Sequence, residues 1–162
     1  MNIIVALDGV LSSETGEPIR NGVALFYALS SGHRVSLVTD RSKQDAEHWL
    51  HSHGIVNYDD LIDNSFALEG EHLRKRQVTI ARANSPVEMY VDNDHEMITW
   101  AFEQGMTAVL FAHPSYLPIR HRPDAPKAIR KWGDIQDAIK KNNIAKSLDK
   151  TVQGDSALVW DD

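Results

Sequence analysis

Three stretches of this chain place carboxylate or hydroxyl groups directly after an apolar run. Asp8-Gly9 follows Ile3–Leu7, Thr39 follows Val35–Val38, and Asp92-Asn93-Asp94 follows Val87–Val91. The runs are rich in β-branched residues, with one polar residue each in the second and third (Ser36 and Glu88), the pattern of strands largely buried in a parallel sheet. A charge at the end of such a strand is costly unless it has a task or a partner. In open parallel sheets the strand carboxyl ends converge on one crevice, where ligands bind. Asp8, Thr39 and Asp92 are therefore expected together at one end of the sheet. Nucleotide-binding and receiver domains share that arrangement. A plainer reading stands beside it: Asp-Gly is a common turn pair, and a threonine at a strand end is most often a strand or capping residue. Asp92 is harder to assign to packing, because three consecutive polar groups follow its strand.

The elements that would position these groups alternate along the chain. Helical spacing of apolar residues appears over Gly22–Ser31, with Gly32 as a C-terminal cap, and over Lys43–His53, ended by Gly54. Leu61-Ile62 reads as a minor strand. Glu69–Ala83 reads as a helix with much surface charge, broken by Pro86. Glu96–Gln104 is helical and stopped by Gly105, and Thr107–Phe111 is a further strand. His113–Pro126 is proline-rich and reads as an irregular loop. Ala128–Lys141 is helical, with Gly133 an interruption and Asp134 an acceptable N-cap. Such alternation implies βαβ units: an α/β, three-layer, Rossmann-like fold with a mostly parallel sheet. The expected organisation is one domain over residues 1–144 and a flexible tail over 145–162 with an acidic end.

Composition bounds the rest. The chain has 162 residues, enough for a single sizeable core. It has no cysteine, which excludes a disulfide framework and thiolate metal sites. No signal peptide is read at the start and no apolar run reaches membrane-spanning length. The formal charge of −6 argues against general affinity for nucleic acid. A cytoplasmic location is expected, or a virion-associated one for a viral source.

Ala6-Leu7-Asp8-Gly9-Val10-Leu11 resembles the first motif of the haloacid dehalogenase-like (HAD) superfamily, Asp-x-Asp-Gly-Val/Thr-Leu. Val38-Thr39 is similar to the second motif, whose hydroxyl holds the substrate phosphoryl group. Tyr90-Val-Asp-Asn-Asp94 is similar to the fourth, whose acidic residue ligates magnesium. The resemblance spans roughly residues 3 to 111. It implies a phosphatase ancestry, with Asp8 the general acid/base, Thr39 and a helix cation binding phosphate, and Asp92 and Asp94 binding magnesium. The third motif is a lysine or arginine; Lys75 is the candidate, with Arg74 and Arg76 beside it, and a helix lets only one or two of these face the site. The spaces between motifs leave no room for a cap domain, so an open site is expected, suited to a large substrate or covered by another subunit of a homo-oligomer.

The departure is Ala6, which stands where the family has its nucleophilic aspartate. Alanine offers no nucleophile and removes one magnesium ligand, so metal affinity should be weak or lost. In a protease, removing the nucleophile costs about 10⁶ in rate, roughly 8 kcal/mol of transition-state stabilisation. Three explanations fit. The chain is a domain that has lost catalysis and binds or builds something; or it is an engineered nucleophile trap of an active phosphomonoesterase or nucleotidase; or Asp8 is itself the nucleophile in a shifted register. Asp8 could also act as a base on water attacking directly. The Asp8-Gly9-Val10-Leu11 match speaks against the third, and the first is the favoured reading, with a phosphorylated ligand or a protein as the expected partner.

Other features carry less. His48, His51 and His53 suggest a metal only if a third ligand joins them; incidental surface histidines are the better reading. The basic cluster Arg120, His121, Arg122, Lys127, Arg130 and Lys131 reads as a solvated face. Trp160-Asp161-Asp162 could be a docking peptide, though a disordered end is the default. A receiver domain is the alternative fold, but it needs a second acid beside Asp8 that the sequence lacks.

Overall fold

A computed structural model describes residues 1–113 and, further on, 133, 136–137, 139–141 and 143–145. The chain divides into two compact units, Met1–Tyr116 and Leu117–Asp162. The first unit runs β1 (Asn2–Ala6), α1 (Arg20–Ser30), β2 (Arg34–Val38), α2 (Lys43–Ser52), β3 (Asp60–Ile62), a 3-10 turn at Asn64–Phe66, α3 (Leu73–Asn84), β4 (Met89–Asp92), α4 (His95–Glu103) and β5 (Thr107–Leu110). All five strands are parallel, in the order β3-β2-β1-β4-β5. This arrangement is compatible with a Rossmann-like three-layer fold. With this strand order the right-handed crossover rule for βαβ units assigns α1 and α2 to one face and α3 and α4 to the other, because the direction of winding reverses after β3.

The sheet is the core. Ile3, Ile4, Val5 and Ala6 of β1 are buried, as are Val35, Leu37 and Val38 of β2 and Tyr90 and Val91 of β4. Phe26, Leu50, Val78, Met97 and Ala101 join them from the four helices. Burying each large apolar side chain contributes about 1.5–3 kcal/mol, so the three inner strands, β2, β1 and β4, anchor the fold. The register sets Ala6 beside Val38 and Val5 beside Val91, which aligns the carboxyl ends of β1, β2 and β4.

Local chemistry fixes the element ends. Ser42 caps α2, accepting from the Asp45 amide at 3.2 Å. Asp94 caps α4 in the same way, accepting from the Glu96 amide at 2.9 Å. Gly22 lies inside α1, where glycine costs about 1 kcal/mol relative to alanine. The reason is a close approach: a Cβ there would stand 1.7 Å from the Val10 carbonyl oxygen. Helix α3 begins at Leu73, later than the Glu69 expected, because Gly70 adopts φ +80° in a turn before it. In the second unit the described residues are helical, and Gly133, expected to interrupt the helix over 128–141, is itself helical. The expected loop over 113–126, the basic cluster from Arg120 to Lys131 and the Trp160-Asp161-Asp162 end lie, His113 apart, outside the described residues. Among the described residues no helix is long and apolar enough to cross a membrane.

Candidate functional site

The chain leaves β1 in a tight turn, Leu11 N and Ser12 N both donating to Leu7 O, at 3.0 and 2.9 Å. This turn presents Asp8. Gly9 follows at φ +92°, and a Cβ at that position would stand 2.3 Å from the Asn93 side chain. Only glycine lets the β1 turn settle on the β4 turn here. Beyond it, residues 12–18 fold back as a short flap, with Ser12 bridging Pro18 and Ser13 N donating to Glu17 O at 2.8 Å. Trp49 of α2 ties the flap down, its Nε1 donating to Gly16 O at 2.6 Å.

Asp8 is held on several sides. Thr39 Oγ1 donates to its Oδ2 at 2.7 Å and the Asp40 amide at 3.1 Å. Arg41 Nε donates to Oδ1 at 2.8 Å, while Arg41 Nη2 donates to Ser12 Oγ at 2.6 Å. The Arg41 guanidinium also lies over the Trp49 ring, 5.3 Å from its centroid, a cation–π contact.

The second carboxylate, Asp92, ends β4 and is fully buried. Arg74 Nη1 donates to its Oδ1 at 2.5 Å, and the Asn93 and Asp94 amides donate to the same oxygen at 2.7 and 3.2 Å. Tyr90, two residues back on the same strand face, donates its hydroxyl to Oδ2. Arg74 also joins the two halves of the site: its Nη2 donates to the Asp8 carbonyl at 3.3 Å, and its Nε and Nη2 reach the two Asp40 carboxylate oxygens at 3.4 Å each. One turn along α3, Gln77 Nε2 donates to the carbonyls of Thr39, Ile62 and Asp63, at 2.8, 3.1 and 2.8 Å. It thereby ties α3 to the ends of β2 and β3.

Electrostatics follows from burial. Loss of solvent pushes the Asp92 carboxyl above its usual range, with Arg74 opposing. Burial raises the Tyr90 phenol too, and the adjoining Asp92 carboxylate adds to the effect. Burial alone would lower Arg74, but the Asp92 and Asp40 carboxylates outweigh it and hold the guanidinium charged.

The structure thus brings Asp8, Thr39 and Asp92 to one end of the sheet, at the switch point between β1 and β4. The cation of α3 that reaches them is Arg74, not Lys75. Lys75 is half-buried one position further round the helix, and 100° of rotation per residue turns it off the face that carries Arg74, Gln77 and Val78. Asp94 serves as the α4 cap, with Oδ2 3.9 Å from His72 Nε2. Ala6 is fully buried, the last residue of β1. The expected open site is covered: Asp8 is 5% exposed and Asp92 fully enclosed, because the charged groups satisfy one another and Trp49 closes the flap over Arg41. Two surface hollows among the described residues lie elsewhere, one lined by Met1, Asn2, Arg34 and Glu88 at the amino ends of the strands, the other by Glu47, His48, His51 and Tyr58. Neither includes the carboxylate cluster.

Sequence reasoning missed Arg41, Ser12, Gln77 and Tyr90. Two signals could have found three of these. Arg41 lies two residues past Thr39, just beyond the end of β2, and Gln77 and Tyr90 sit at helix and strand periods from Arg74 and Asp92.

As placed, this set does not fit a magnesium ion, which requires near-octahedral oxygen coordination. Both Asp92 oxygens and the Asp8 carbonyl already accept hydrogen bonds from protein donors. Among the described residues no group of three His, Cys, Asp or Glu is arranged to hold a metal.

No protein-family model matches the chain, and no curated protein does. Among solved structures it is similar to a chain of the Pnkp1/Rnl/Hen1 RNA repair complex, at 17% identity and a TM-score of 0.57. The match covers 68% of this chain and 42% of that one, so this chain corresponds to less than half of its neighbour's length. At that identity the likeness is one of fold.

Proposed function

We propose that this chain is a HAD-like domain of phosphatase ancestry that has lost covalent hydrolysis and serves as a binding or structural module. The observation that carries the reading is the state of the first motif. Ala6, at the nucleophile position of the resemblance, is a buried methyl group, and Asp8 two residues on accepts from Thr39, Arg41 and the Asp40 amide. A general acid/base must exchange protons with a substrate it can reach. Here the carboxylate is tied into the protein by charge-assisted bonds, the stronger kind. The parallel sheet with its site at the β1/β4 switch point and the fold likeness to a chain of an RNA repair complex support the ancestry. That neighbour is named as part of a multi-protein assembly, and a role beside other proteins suits a domain whose charged site is turned inward.

The test is a phosphatase assay with magnesium, using p-nitrophenyl phosphate and nucleoside monophosphates. Turnover no greater than that of Asp92→Asn is the expected result. Turnover well above that control would establish an active phosphohydrolase and overturn the reading.

A further inference from the structure

We infer that Arg74 is the resident cation of this site, standing where the HAD resemblance places a divalent metal, and that the domain is metal-independent. The inference rests on the proposed HAD-like reading for the location of that metal. The resemblance leaves three oxygen groups for it on this chain, the Asp92 and Asp94 carboxylates and a backbone carbonyl near Asp8; Asp94 is engaged in capping α4, which leaves the Asp92 carboxylate and the carbonyl. Arg74 donates to both: Nη1 to Asp92 Oδ1 at 2.5 Å and Nη2 to the Asp8 carbonyl at 3.3 Å. Its third side faces the Asp40 carboxylate at 3.4 Å. The planar guanidinium suits this task because its donors diverge in a fixed fork. It supplies positive charge to two strand ends without needing six oxygen ligands.

The replacement is built into the fold. The Arg74 side chain is 5% exposed, and Gln77, one turn along, fixes the phase of α3 by three bonds to backbone carbonyls. For a metal to enter, Arg74 would have to leave an enclosed position in which three acceptors satisfy it. With Ala6 in place of a carboxylate, the ion would gain too few anionic ligands to drive that exchange. Loss of the acidic ligand at position 6 and occupation by Arg74 are two parts of one change. The first removes the need for a divalent charge, and the second balances what remains.

The experiment is an amide NMR titration with Mn²⁺, which takes the same oxygen ligands as magnesium and broadens nearby signals. In the full chain, substoichiometric Mn²⁺ is expected to leave the amides of Asp8, Gly9, Asp92 and Asn93 as sharp as those of the α1 backbone. In Arg74→Ala the same amides should broaden selectively, and excess Mg²⁺ should restore them. If Arg74→Ala does not fold, Arg74→Gln takes its place, and the titration of the unaltered chain decides by itself should neither fold. Selective broadening in the unaltered chain overturns the inference. So does a folded variant without it, since Arg74 would then fill no cation position. Metal binding without phosphatase turnover defeats this inference alone; turnover defeats the function proposed above.

Discussion

Arg74 Nη1 lies 2.5 Å from Asp92 Oδ1, in an ion pair whose side chains are 5% and 0% exposed. The pair connects α3 to the end of β4 at the centre of the sheet. Buried pairs of this kind are not strong net contributors, since desolvation offsets much of the attraction, but breaking one leaves an uncompensated charge. Arg74→Ala is therefore expected to lose about 3–5 kcal/mol, read from urea unfolding midpoints. Asp92→Asn should cost far less in the Arg74→Ala background than alone, because it removes the stranded charge while its amide oxygen still accepts from the Asn93 and Asp94 amides. Equal costs in the two backgrounds would mean that the residues are energetically independent.

Gly22→Ala sets two effects against each other. Helix propensity favours alanine by about 1 kcal/mol. Packing opposes it, since the new Cβ would stand 1.7 Å from the Val10 carbonyl, a backbone atom that moves only if the turn carrying Asp8 moves. Overpacking of this kind costs about 1–3 kcal/mol, and we expect a net loss. Gly32→Ala is the control, because nothing lies within 4 Å of its added Cβ; it should change stability by less than about 0.5 kcal/mol. A Gly22→Ala protein as stable as the Gly32→Ala one would show that α1 does not pack against the β1 turn as described.

Tyr90 gives the alkaline limit of stability. Its phenol is raised above the ordinary value of 10.0, by burial first and then by the Asp92 carboxylate. The folded chain thus keeps this proton to higher pH than the unfolded chain does. Stability from this source is fully present below about pH 10 and is lost as pH rises above it, by up to ~1.4 kcal/mol per pH unit for one proton. Tyr90→Phe should show a shallower fall between pH 9 and pH 11 in chemical denaturation. Parallel curves for the two proteins would remove Tyr90 from the account.

Much of this site was legible because strand ends are legible. A buried β-branched run that stops at Asp8, Thr39 or Asp92 fixes both the element and its polar end, and parallel topology brings those ends together. The helix cation was not legible. Choosing among Arg74, Lys75 and Arg76 requires the phase of α3, and the phase depends on where Gly70 ends the preceding turn. Asp94 was ambiguous for another reason. A carboxylate between a strand and a helix serves equally as a metal ligand or an N-cap, and the bond to the Glu96 amide is visible only in three dimensions. The closure of the site was hidden as well, because it depends on Trp49 reaching Gly16 from a helix distant in sequence.

The sharpest prediction concerns Ala6. A carboxylate installed at this fully buried position loses its hydration and costs several kcal/mol unless a cation compensates. Ala6→Asp is thus expected to be less stable than the present chain. If Arg74 fills the cation position, magnesium should not recover that loss, because the ion has no vacant ligand set to enter. In Ala6→Asp/Arg74→Ala the balance reverses. If position 6 faces the cluster, as the resemblance implies, two carboxylates and the Asp8 carbonyl then share a site without its guanidinium, and like charges at close range raise the cost of folding without metal. An ion that binds the folded chain selectively adds about 2.7 kcal/mol at a hundred times its Kd. The melting temperature of the double variant should therefore rise by several degrees with magnesium, while that of Ala6→Asp follows a sodium chloride control of matched ionic strength. The opposite order, with the single variant responding and the double one not, would place Arg74 among the groups that help a metal bind. An equal response in both variants and in the unaltered chain would place position 6 away from the cation altogether.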